Sequence, residues 1–223
     1  MAGASSSGTP VRVVIEAGAK RVFATAIDWP GWSRSGRDEA RAIEALAAYA
    51  DRYRAVAQAA KVRFPAHPAF EVVERQQGNG ATDFGVPGKP SAIEHQPPTL
   101  AEAKRLAALV EGGWAVLDAI AAAASPTLRK GPRGGGRDRD AVVQHILSAE
   151  SASYARSLGL RLEEATVGSR KTIEAERAAI AEAIRAGGRK DAPETKWPIR
   201  YAANRIAWHV LDHAWEIEDK SEW

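Results

Sequence analysis

Ile199–Asp219 reads IRYAANRIAWHVLDHAWEIED. At about 100° per residue, His209, His213 and Glu216 fall on one stripe of a helix, flanked by Ile206, Val210 and Ile217. Histidines spaced i, i+4 stack one turn apart, close enough to share a ligand. Trp208, Leu211 and Trp215 point roughly the other way. A helix that is apolar on two sides is covered on two sides. The spacing therefore predicts one face toward a helical interior and the other toward a second domain or a partner chain. The N-terminal part of the same chain is the expected cover.

Three more helical segments precede it. Thr99 is a good N-cap with Glu102 at the capping-box position, opening a helix that runs to about Ala124. Ser125–Gly136 is a basic, glycine-rich loop, and the next helices span about Arg137–Leu158 and Ser169–Ala186. With Trp197–Asp219 these make four helices joined by polar loops, the pattern of an up-and-down-type four-helix bundle. Gly85–Pro98, rich in proline and glycine, reads as a linker. Before it lie strand patterns at Val11–Ala17, Arg21–Asp28 and Phe70–Glu74, with a possible fourth at Thr82–Val86. WPGWSRSG (residues 29–36) reads as a loop, Asp38–Ala60 as one amphipathic helix and Met1–Pro10 as a frayed tail. The expected fold is a small α+β domain over residues 1–84, a linker over 85–98 and an all-α bundle over 99–223, mainly α in total.

Composition narrows the function. A net charge of +3 spread evenly over 223 residues gives no basic footprint for nucleic acid. Zero cysteines removes disulfides, thiolate metal ligands and a cysteine nucleophile together. No apolar run reads as a membrane span, and MAGASSSGTP lacks a signal peptide's apolar core, so a cytoplasmic protein with no membrane partner is expected.

Only one other histidine lies in a periodic segment. It is His145, beside the arc of Val142, Ile146 and Ala149. An i, i+4 pair plus one histidine from a neighbouring helix supplies three imidazoles to a divalent ion and leaves a position for water or substrate. The plainer alternative is three histidines filling a half-buried groove. His67 and His95, in proline-rich loops, read as solvated. Glu216 is the candidate catalytic residue, orienting a histidine or accepting a proton. Asp212 and Asp219 read as solvated or as arginine partners, and Glu150 as structural. Arg200 and Arg205 are candidates for an anionic substrate, with a solvated arginine the commoner case.

Two resemblances add to this reading. RVFATAIDWPGWSRSGRDEARAIEALAAYA (residues 21–50) resembles the start of HicB-type antitoxin domains, which implies a small α+β scaffold; no DNA-binding helix pair comes after it. VVQHILSAE and IAWHVLDHAWEIED resemble the DinB-like (DinB/YfiT-like) superfamily of metal-binding four-helix bundles. That resemblance implies His145, His209 and His213 as metal ligands. It also implies a metal-dependent enzyme using a low-molecular-weight thiol, a transferase or isomerase acting on a small molecule. The expected metal is zinc or nickel, and a homodimer is possible for the type. A metal-dependent hydrolase and a non-catalytic metal- or ligand-binding stress-response protein are the alternatives. With no cysteine in the chain, a reacting thiol has to be a small-molecule cosubstrate.

Overall fold

The computed structural model describes residues 9–131 and 136–222. The expected N-terminal tail lies almost wholly outside these, as does part of the basic loop. The protein is α+β. A four-stranded mixed sheet carries the order β3-β2-β1-β4, built from β1 (Val11–Ala17), β2 (Val22–Ala26), β3 (Ser33–Gly36) and β4 (Phe70–Gln77). β1 pairs antiparallel with β2 and parallel with β4. Its near-continuous apolar sequence, VRVVIEA, fits a central strand covered on both faces. Val13 and Ile15 join a core beneath helices α1 (Glu39–Ala48) and α2 (Ala50–Ala59). Val14 and Glu16 face the start of the last helix across a cavity.

Four expectations need correction here. The loop at residues 29–36 contains β3, which pairs with β2 from Ser33 to Gly36. The long helix breaks at Tyr49 because the Trp32 indole donates to the Leu46 carbonyl at 2.9 Å. In an unbroken helix that carbonyl would accept from residue 50. β4 continues to Gln77. Thr82–Val86 is no strand: Asn79 and Thr82 form a capping box that starts the short helix α3 (Gly80–Phe84), and Gly85 ends it at φ +109°. Phe84, which gave that segment its strand-like look, is exposed.

Residues 85–98 contain no helix or strand but are held at several points. Gly88 N and Lys89 N donate to Glu16, Ala92 N donates to Glu74, and Ser91 N and Oγ donate to the buried Glu94. The helical half is built from α4 (Leu100–Ala123), α5 (Arg139–Ala149), α7 (Arg170–Ala186) and α8 (Ile199–Lys220). The expected second helix is not regular to its end: a π turn, Glu150–Tyr154, precedes a last short turn, α6 (Ala155–Ser157). Ser151 Oγ donates back to the Leu147 carbonyl, and Ser148 Oγ to that of Gln144. Such back-bonding competes with the helical ladder.

These four helical segments close on one core that includes Leu106, Trp114, Ile146, Tyr154, Ile180 and Ile206. α4 and α8 also supply Leu109, Leu211 and Trp215 to the core of the sheet half. α4 is long and apolar enough to cross a membrane, contrary to the sequence expectation. Its apolar character is accounted for by packing against α2, α7 and α8.

The loop at Pro30-Gly31 seats the two halves together. Gly31 has φ +90°, and a Cβ there would lie 2.6 Å from Leu211 and 2.9 Å from the backbone of Ala207. Only glycine allows both the conformation and the approach.

Candidate functional site

α8 is covered on two sides, each with its own chemistry. On its sheet side, Trp208 meets Phe23 edge-on at 6.2 Å and Trp215 meets Tyr49 at 4.9 Å. Asp212 pairs with Arg34 at 3.0 Å, and Asp219 with Arg52. The two aspartates are thus arginine partners.

On the bundle side the three histidines converge. One ligand atom from each of His145, His209 and His213 lies within 4.8 Å of the others. His209 Nε2 sits 3.2 Å from His145 Nε2. His213 points its Nδ1 at Glu216 Oε2, 2.8 Å away, which leaves its Nε2 for the cluster. Lys220 Nζ donates to the other Glu216 oxygen at 2.6 Å. His209 is buried, His213 half-buried and His145 exposed, so the cluster opens to solvent on the α5 side. Tyr154 packs edge-on against His209 at 5.5 Å and closes another side.

The electrostatics are set by burial. Desolvation pushes the His209 pKa down to about 2, with His213 and Arg205 adding to the effect. Desolvation also lowers His145, helped by Arg137. Both imidazoles are therefore neutral at pH 7, the form with a lone pair to give. The hydrogen bond from His213 holds Glu216 at about 2, and Lys220 adds to this against the cost of burial. His209 Nδ1 is buried with no hydrogen-bond partner among the described residues. Three imidazoles around one point, one braced by a carboxylate, form a donor set that fits a divalent transition metal.

His67 and His95 are exposed and far from this cluster in the chain. Glu150 is fully buried away from it, with Trp114 Nε1 donating to its Oε1 at 2.5 Å. Arg200 is occupied by Glu102 and the Gln96 carbonyl, at 2.8 and 3.0 Å. Sequence reasoning missed Lys220 and Tyr154. Lys220 was legible as the i+4 partner of Glu216. Tyr154 was not, because nine regular residues place it half a turn away from His145. One extra residue in the π turn rotates the downstream residues by about 100°, back toward the histidines.

The chain matches no protein-family model, no curated protein and no solved structure.

Proposed function

We propose that this protein is a divalent-metal-dependent enzyme of the DinB-like type, with His145, His209 and His213 as ligands. Zinc or nickel suits all-imidazole ligation best. The observation that carries the reading is the convergence of three imidazoles from α5 and α8 within 4.8 Å. The core shared by four helical segments and the strand–loop–helix order of the N-terminal half agree with the DinB-like and HicB-like resemblances.

His145, His209 and His213 would hold the metal, which would supply a lowered pKa to a bound water or thiol and so an anionic nucleophile at neutral pH. The chain's own residues do the rest. Burial keeps His209 neutral, and Tyr154 shields one side of its ring. Glu216 fixes the His213 tautomer; with both oxygens engaged and a pKa near 2, it is a positioning residue and a poor proton acceptor. The exposed edge at His145 is where a small molecule enters. Because the chain has no cysteine, the thiol is a low-molecular-weight cosubstrate, and the reaction is transfer or isomerisation.

Metal analysis of protein purified without a histidine tag tests this. The expected content is about one zinc or nickel per chain, lost in His209→Leu. Wild-type protein that takes up neither metal nor cobalt would overturn the metal reading. Metal without thiol-dependent turnover would leave a non-catalytic binding protein or a hydrolase.

A further inference from the structure

We propose that Arg205 is the docking point for a carboxylate on the small molecule that reaches the histidines. The inference rests on the metal reading above and adds a substrate class to it. Of the two arginines early in α8, Arg200 is already paired. Arg205 forms no ion pair among the described residues, and its Nη1 is buried with no hydrogen-bond partner. Its guanidinium lies 4.6 Å from the Trp208 ring centroid and 5.6 Å from that of Tyr154. Two aromatic faces fix the plane of the fork, which matches a carboxylate bidentately. An unmet buried donor costs free energy until something accepts from it.

The position of Arg205 points the same way. It stands four residues before His209, so the two share a helix face at about 5–6 Å. Tyr154 touches both. Arg205 also borders a cavity between the sheet and α8 of about 20 Å³, room for about one water, whose lining includes none of the three histidines. Asn204, on the same wall, has an unpartnered Oδ1. The acids on that wall are engaged elsewhere: Glu16 by Thr82, Gly88 and Lys89, and Glu94 by Ser91 and Asn204. The ligand that fits is a small carboxylate whose metal-binding atom sits about one helical turn, ~5–6 Å, from the acid group.

The test uses the full chain loaded with cobalt, whose visible spectrum reports thiolate binding. The probes are 3-mercaptopropionate and its neutral analogue 3-mercaptopropanol. The acid should bind about tenfold or more tighter than the alcohol in wild type, as expected for a charge-assisted pair. The preference should vanish in Arg205→Met and be intermediate in Arg205→Lys, with cobalt affinity and melting temperature showing that both variants are intact. If Arg205→Met does not fold, Arg205→Lys carries the test, and a full preference in it overturns the bidentate dock. Equal affinity of the two probes in wild type, or no binding of either to loaded protein, overturns the proposal and leaves only an ordered water at Arg205. Failure to load cobalt is read before any probe is added. It removes the metal reading, and the inference with it.

Discussion

The two faces of α8 obey different rules. Its sheet face is closed: Trp208, Leu211 and Trp215 are buried against aromatic and aliphatic partners, and Gly31 lets a loop touch the helix backbone. Its bundle face is left open, with His209 Nδ1 buried and unmatched and the cluster exposed at His145, while Arg205, its Nη1 also unmatched, stands at the border of the two faces between Trp208 and Tyr154. A protein selected for stability alone would have filled or paired these groups, since orphaned polar atoms cost on the order of 1–3 kcal/mol each. One face holds the halves together, and the other, on the metal reading proposed above, carries the groups that would coordinate. The contrast makes stability and ligand binding separable by mutation.

The largest expected effect is on the closed face. Trp215→Ala should lower unfolding free energy by about 3–5 kcal/mol, the range for truncating a buried aromatic. Metal affinity, measured on the folded fraction, should stay within about threefold. A large loss of metal with little loss of stability in urea denaturation would erase the division between the faces.

On the open face the order reverses. His209→Leu should reduce metal affinity by at least about a hundredfold, since it removes the buried ligand. It should leave the metal-free protein as stable as wild type or more so, because an unpartnered buried nitrogen goes with it. Parallel metal titration and denaturation of the metal-free form check both halves. Glu216→Gln is a finer cut. It keeps the size of the side chain but weakens the brace on His213, and should cost about 10–100-fold in metal affinity. An unchanged affinity would return Glu216 to a surface ion pair with Lys220.

The smallest effect extends the contrast to the bundle interior. Burial raises the Glu150 pKa to about 7, and its Oε2 has no partner. The folded state then holds a proton that the unfolded chain releases near its ordinary value, so stability falls as pH rises from about 4.5 to 7. At about 1.4 kcal/mol per unit, the wild type should lose about 2 kcal/mol relative to Glu150→Gln between pH 5 and 7. Denaturation of both proteins across that range measures the difference, and parallel curves would refute it. The glutamine keeps an acceptor for Trp114.

Periodicity in the sequence was enough to specify the long helices, the β1–β2 hairpin and the three histidines. In each case the signal is local: 3.6-residue spacing, a capping box at Thr99, and an i, i+4 pair. The two-sided apolar character of α8 also announced a helix covered twice. Contacts distant in sequence decided the rest. β3 exists because β2 is there to pair with it, and the break at Tyr49 because Trp32 takes the Leu46 carbonyl. Tyr154 meets His209 because the π turn shifts its phase. The choice between Arg200 and Arg205 was invisible in the chain, where both are arginines near a helix start. Glu102, from another helix, pairs with the first, whereas the second forms no ion pair among the described residues and its Nη1 is buried without a partner. Local pattern fixes which groups a helix presents and on which face. Only packing decides which of them are left without a partner, and those are the groups available to bind.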